Sequence, residues 1–148
     1  MVNLIQGNLF NSTAKVICHQ CNCQGVMGSG VAAEVKKRYP HVYNEYRNDY
    51  EKGLLKLGYV NFANATSDQV IANMCGQEKY GYDGKQYTSY DNLRQCLNTV
   101  KEYMINNNID TVAFPYMMSC CRGGGNWNVV YQMIENVFTD CNVEIWKL

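Results

Sequence analysis

Two stretches of this sequence share one design: an apolar run, a glycine-rich turn, then a helical pattern. The first runs from Cys18 through His19 and Asn22 to Gly28-Ser29-Gly30-Val31-Ala32. The second runs from Pro115 through Ser119-Cys120-Cys121-Arg122 to Gly123-Gly124-Gly125-Asn126-Trp127. Glycine lets a backbone approach a ligand closely and take positive φ. The helix that follows presents unpaired N–H groups and the positive end of its dipole. Such a turn suits an anion, phosphate above all. A single turn of this kind is equally well a tight connection that packs a helix on a sheet. Two in a chain of 148 residues point to one ligand held from both sides. Neither has P-loop spacing, because no Gly-Lys-Ser/Thr follows. Neither is a GxGxxG with an acidic residue about 20 positions on.

Single residues within these stretches carry alternatives. His19 can act as a general acid or donate to a phosphate; it can equally be a strand histidine satisfied by packing and one hydrogen bond. Asn22 can orient a sugar or simply form a turn. Arg122 can pair bidentately with phosphate or remain a solvated loop residue. Cys18-His19-Gln20-Cys21 has metal-ligand spacing, but alternate strand side chains point opposite ways and no second CxxC occurs. No metal and no cofactor are therefore expected. Lys79, Tyr80, Tyr82 and Tyr87 form a loop that can serve as a lid or stand as an exposed tyrosine-rich segment. Trp127 reads as core.

The elements that must position these residues alternate. Strands are expected at 2–6, 15–19, 58–63, 69–75, 111–115 and 143–148. A helix opens at Gly28-Ser29-Gly30 and breaks at Pro40, and a second stretch carries Val42, Tyr46 and Tyr50 at a spacing of four. Thr88 or Ser89 caps a long helix with the stripe Leu93, Cys96, Leu97, Val100, Tyr103 and Met104. Asn126 caps a last helix along Trp127, Val130, Tyr131, Ile134, Val137 and Phe138. Strands alternating with helices predict an α/β fold, a mostly parallel sheet with helices on both faces. With no repeat or linker, residues 1–148 read as one domain.

Composition narrows the function. Thirteen basic and thirteen acidic residues cancel, and no basic run exceeds Lys36-Lys37-Arg38, so general nucleic-acid binding is not expected. No apolar run approaches the ~20 residues of a membrane span. The start of the chain reads as a strand, not a signal peptide. A cytoplasmic location and free thiols for the eight cysteines are expected.

At the two loops the sequence resembles the macrodomain family, most of all the branch with ADP-ribose 1″-phosphate phosphatase and terminal ADP-ribose protein glycohydrolase. The matching residues are Gln6-Gly7-Asn8-Leu9, the stretch 19–23, Gly28-Ser29-Gly30-Val31-Ala32 and Arg38-Tyr39-Pro40. Tyr90-Asp91-Asn92-Leu93, Pro115 to Trp127 and a last strand ending in Leu148 continue the match in order. The resemblance implies a three-layer α/β/α sandwich with a mixed central sheet and a cleft for ADP-ribose. It implies that 28–32 hold the diphosphate and distal ribose from one side. Ser119, Cys120, Cys121, Arg122, Gly123 and Gly124 would close from the other. It sets Asn22 at the distal ribose and Asn8 at the adenine, and it counts Leu9 and Leu148 among the ligand-binding residues.

The departures are specific. Ala32 stands where one hydrolase branch places an aspartate. Gly76-Gln77 and Gly123 stand near the lysine and aspartate of the glycohydrolase, and Ser119-Cys120-Cys121 replaces Gly-Cys-Gly. What is expected is a metal-free hydrolase of ADP-ribose 1″-phosphate or of an ADP-ribosyl ester, with Asn22 and His19 catalytic. Its partners would be the nucleotide and ADP-ribosylated protein. The alternative is a module that binds such nucleotides without turnover. Single-stranded nucleic acid or poly(ADP-ribose) is a third reading, disfavoured by the neutral charge.

Overall fold

The computed structural model describes residues 1–80, 85–120 and 123–148. Expectations placed on Tyr82, Cys121 and Arg122 lie outside the described residues. In chain order come β1 (Val2–Gln6), a 3₁₀ turn (Leu9–Asn11), β2 (Val16–Cys21), α1 (Gly30–Arg38) and α2 (Pro40–Glu51). They are followed by β3 (Val60–Thr66), β4 (Gln69–Cys75), α3 (Tyr90–Asn106), β5 (Thr111–Pro115), α4 (Trp127–Val137) and β6 (Asn142–Lys147).

Local signals account for the helix starts. The Ser89 side chain accepts from the Asn92 N–H and opens α3, and Asn126 does the same for α4 with Asn128. Pro40 stands at the first position of α2, where its missing N–H costs nothing. The residues Val16, Ile17 and Cys18 of β2 are all fully buried, as suits a strand covered on both faces.

The six strands form one sheet in the order β1-β6-β5-β2-β4-β3, parallel throughout except for β3, which runs antiparallel to β4. Helices α3 and α4 close one face over Val16, Cys18, Met74, Val112 and Phe114. Helices α1 and α2 close the other over Ile17, Cys21, Ile71, Cys75 and Ala113. The arrangement is the expected three-layer α/β/α sandwich with a mixed sheet. No helix among the described residues is long and apolar enough to cross a membrane.

Several boundaries differ from the sequence expectation. β2 runs on to Cys21 because its last residues pair with β4 up to Cys75. The third strand begins at Val60, not Gly58, because the Gly58 N–H turns in to the Cys75 carbonyl, before the ladder with β4 starts. Tyr50 is exposed and packs beneath the Arg47 guanidinium rather than in the core. Trp127 is half-buried, its ring 5.3 Å from Tyr116 and 5.9 Å from Tyr131.

One feature of the sheet makes room for a ligand. Between β2 and β5 the paired positions are Val16–Val112 and Ile17–Ala113, whereas β2 pairs with β4 all the way to Cys21. The two strands therefore part at their carboxyl ends. After β2 the chain crosses the α1/α2 face toward β4 and β3; after β5 it crosses the α4 face toward β6. This reversal of direction is where open α/β sheets bind ligands.

Candidate functional site

A cavity of about 340 Å³ occupies the fork between β2 and β5, within the size range of small-molecule pockets. Its walls come from the end of β2, from 28–32 at the start of α1, and from Pro115 to Cys120 with Gly123. Gln77 and Tyr80 complete the lining from the segment after β4. Both glycine-rich stretches thus meet at one cavity.

The start of α1 lines the cavity without a side-chain cap. Ser29 stands at the cap position with no capping bond from its side chain. The first amide with an acceptor in this turn is that of Ala33, on the Ser29 carbonyl at 3.2 Å. Gly30, Val31 and Ala32 occupy the positions whose N–H groups have no intrahelical acceptor, and all three line the cavity. Gly30 holds φ +60, a conformation L-residues avoid, and has no atom within 4 Å of where a Cβ would sit.

Asn22 organises the loop between β2 and α1. Its Oδ1 accepts from the N–H of Gln24 at 2.9 Å and of Val26 at 3.4 Å, and its Nδ2 donates to the Val26 carbonyl at 2.9 Å. The Tyr46 hydroxyl of α2 donates to the Asn22 carbonyl at 2.7 Å and reaches its Oδ1 at 3.1 Å. The Tyr46 ring is fully buried, and burial pushes its hydroxyl pKa up.

His19 forms the floor. It is 1% exposed, and its Nε2 lies 2.5 Å from Asn73 Oδ1. Burial lowers its pKa from 6.5 to about 4 against the opposing pull of the Asn73 bond, so the ring is neutral at physiological pH. Cys21, also lining the cavity, lies with its sulfur 3.5 Å from Nε2, and burial pushes its thiol well up. Cys18 belongs to the core on the opposite face of the sheet from Cys21, so the spacing 18–21 does not converge.

Gln20 points to the other face and holds a second polar cluster. Its Nε2 donates to Gln77 Oε1 at 2.7 Å and Thr88 Oγ1 at 2.9 Å, and its Oε1 accepts from Ser119 Oγ at 2.7 Å. Thr88 Oγ1 donates to the Ser119 carbonyl at 3.0 Å, and the Gly123 carbonyl accepts from the N–H groups of Tyr87 and Thr88 at 2.7 and 2.8 Å. Gly124 is pinned against the Lys85 backbone. The second loop is therefore fastened to 85–88. Ser119 takes φ +71, in the left-handed region that favours glycine. The Gln20 amide also accounts for Gly76, whereas Gly123 is hemmed in first by Thr88 and by the Ser119 carbonyl, 2.6 Å from where its Cβ would sit. A Cβ at Gly76 would collide with Gln20 Oε1, and one at Gly123 with Thr88 Oγ1 and, at 2.8 Å, Gln20 Nε2.

Asn8, Leu9, Leu148 and Gly124 are not among the residues lining this cavity. Asn8 caps the 3₁₀ turn through the Phe10 N–H at 2.9 Å, and the Leu9 side chain is buried in the core. Leu148, 87% exposed, follows the carboxyl end of β6. Asn8 and Leu148 thus lie at the ligand end of the sheet, displaced past β5. Sequence reasoning missed Gln20, Gln77, Thr88 and Asn73. The available signal was polar residues inside otherwise apolar strands, His19-Gln20 in β2 and Asn73 in β4.

A Macro domain family model matches residues 18–134. A DNA ADP-ribosyl glycohydrolase of Mycobacterium tuberculosis is 25% identical over 141 residues, 93% of this chain and 39% of that protein. An ADP-ribose 1″-phosphate phosphatase of Meyerozyma guilliermondii is 34% identical over 97 residues, 60% of this chain and 53% of that protein. The matches thus span about two fifths and about half of those relatives. Among solved structures, a Bacteroides thetaiotaomicron protein of unknown function superposes with a TM-score of 0.90 at 29% identity, covering 100% of this chain and 98% of that one. The region matched by the family model takes in both glycine-rich loops and the fork between β2 and β5, and the chain belongs to the Macro domain family.

Proposed function

We propose that this chain binds an ADP-ribose-type nucleotide in the cavity between β2 and β5. We further propose that it hydrolyses an ADP-ribose derivative there. The observation that carries the reading is the uncapped start of α1, whose first residues line the cavity together with Ser119, Cys120 and Gly123. A diphosphate there accepts hydrogen bonds from backbone N–H groups and lies at the positive end of the helix. The names of the two curated relatives, a glycohydrolase and a phosphatase of ADP-ribosyl compounds, support the same ligand. In this reading Asn22 and His19 lie at the distal ribose and orient it and the attacking water. The substrate is ADP-ribose 1″-phosphate or an ADP-ribosyl ester, and no metal takes part.

A specific observation favours the second reading, binding without turnover. Among the described lining residues there is no carboxylate and no amine, and the one imidazole is neutral and bonded to Asn73.

The test has two stages. Titration calorimetry and thermal melting with ADP-ribose are expected to show heat and a raised Tm, because a ligand bound only to the native state stabilises it by mass action. The absence of both signals at millimolar ADP-ribose overturns the proposal. Incubation with ADP-ribose 1″-phosphate, ADP-ribosylated peptide and ADP-ribosylated DNA then separates the readings. Release of ADP-ribose from any of them supports the hydrolase, and binding with no release supports the module.

A further inference from the structure

A row of hydrogen bonds crosses three strands beneath the cavity floor. His19 on β2 is the register partner of Asn73 on β4, and Asn73 is that of Asn61 on β3. His19 Nε2 lies 2.5 Å from Asn73 Oδ1, and Asn73 Nδ2 donates to Asn61 Oδ1 at 2.9 Å. Asn61 Nδ2 donates to Asp49 Oδ2 on α2 at 2.6 Å. Tyr59 donates its hydroxyl to the same oxygen at 2.7 Å. Asn73 is fully buried and Asn61 is 6% exposed, so neither amide can exchange its partners for water.

The row has a direction, and only one of its ends can set it. Each amide offers a donor on one side and an acceptor on the other, and can be turned over with little change in shape. A carboxylate oxygen only accepts. Asp49 therefore turns the Asn61 N–H toward itself and the Asn61 oxygen toward Asn73. Asn73 must then show its N–H to Asn61 and its oxygen to His19. We propose that Asp49 is a positioning residue that fixes His19 as the tautomer protonated at Nε2, so that Nδ1 meets the ligand as a hydrogen-bond acceptor. The Cys21 sulfur, a weak donor, lies 3.8 Å from Nδ1. His19 then receives a hydroxyl or a water, not a phosphate oxygen. The ligand role rests on the reading of the cavity as an ADP-ribose site, with a ribose hydroxyl at this end; the tautomer does not.

The ring nitrogens report the state directly. The chain has two histidines, so a His41→Gln variant assigns the His19 signals in long-range proton–nitrogen spectra of labelled protein at neutral pH. The wild type is expected to show a protonated Nε2 and a bare Nδ1. Asp49→Asn is expected to keep that pattern, because its amide oxygen can still accept from both Asn61 and Tyr59. Asp49→Leu removes the acceptor and leaves the buried Asn61 N–H unsatisfied unless the row turns over. The tautomer ratio is then expected to reverse in favour of Nδ1–H, with Tyr59 donating to Asn61. Asp49→Ala repeats the test if the leucine variant does not fold. A proton on Nδ1 in the wild type, or an unchanged ratio in the folded leucine or alanine variant, overturns the proposal. Added ADP-ribose is expected to shift the Nδ1 signal. If the tautomers behave as stated while ADP-ribose shifts nothing and gives no heat, the ligand assignment fails and the relay stands. If ADP-ribose binds but Asp49→Leu leaves the ratio unmoved, the relay fails and the function stands.

Discussion

The hydroxyl of Tyr46 and the carbonyl of Asn22 are 2.7 Å apart, the first on a fully buried ring of α2 and the second at the head of the first loop. Tyr46→Phe keeps the ring and removes this bond. The loss is expected to cost about 1–3 kcal/mol, the usual penalty for a buried acceptor left unpaired. It also loosens the loop that leads to α1. The variant is therefore expected to bind ADP-ribose more weakly in a calorimetric titration. Asn22→Ala should cost more affinity, because it strips the loop of its own Gln24 and Val26 bonds. Unchanged binding in both variants would show that the loop needs neither.

Gly30→Glu places a carboxylate where the diphosphate is proposed to lie. The position opens on empty space, so the fold is expected to survive with roughly 1–2 kcal/mol lost to the positive φ. The melting shift on adding ADP-ribose should vanish. Gly30→Ala carries the same backbone strain without the charge and should retain binding, which separates repulsion from distortion.

Gly76 and Gln20 compete for one space. Gly76→Ala is expected to lower stability by about 1–3 kcal/mol through overpacking against the Gln20 amide. In a Gln20→Ala background the same change should cost far less. Denaturant melts of the two single variants and the double variant give the coupling directly. Additive effects would mean that the backbone, not Gln20, sets the requirement for glycine.

Ser119 sets strain against a hydrogen bond. Its φ of +71 is unfavourable for a residue with a Cβ, while its hydroxyl holds Gln20 at 2.7 Å. Ser119→Gly relieves the first and loses the second, so its Tm should stay near that of the wild type. Ser119→Ala loses only the bond and should be destabilised by about 1 kcal/mol. A glycine variant less stable than the alanine variant would contradict this balance.

His19 makes stability depend on acid. Its pKa falls from 6.5 to about 4 on folding, mainly because burial penalises the charged ring. Below 6.5 the unfolded chain takes up a proton that the folded chain refuses until about 4. The contribution is therefore complete above the upper value and lost progressively as pH falls toward the lower one. The difference corresponds to roughly 3 kcal/mol. Urea melts across that window should show a shallower loss for His19→Gln than for the wild type, and equal slopes would refute the assignment.

What could be read from the sequence was local. The cap at Ser89 and the stripe from Leu93 to Met104 follow from the chemistry of one helix, and the structure buries Leu93, Cys96, Leu97, Val100 and Met104 as that period requires. The two glycine-rich stretches are also local motifs, and they meet at one cavity. The polar partners were not legible. Asn73 is 54 residues from His19 and 12 from Asn61, and their pairing depends on the register of β2, β4 and β3. Nothing in the sequence near Gln20 announces Thr88 or Ser119, which are 68 and 99 residues away. Resemblance singled out Asn22, and its bonds to Gln24 and Val26 are local, but the Tyr46 hydroxyl that joins it from α2 is 24 residues away.

Successive residues of β2 face opposite layers, so His19 and Gln20 anchor polar rows on the two sides of the sheet. Among the described residues no hydrogen bond joins the row of Asn73, Asn61 and Asp49 to the cluster of Gln77, Thr88 and Ser119. A lineage can therefore retune one side of the pocket by substitution while the other keeps its geometry. Insertion of a single residue ahead of His19 does the opposite: it exchanges the two side chains between layers and dismantles both rows at once.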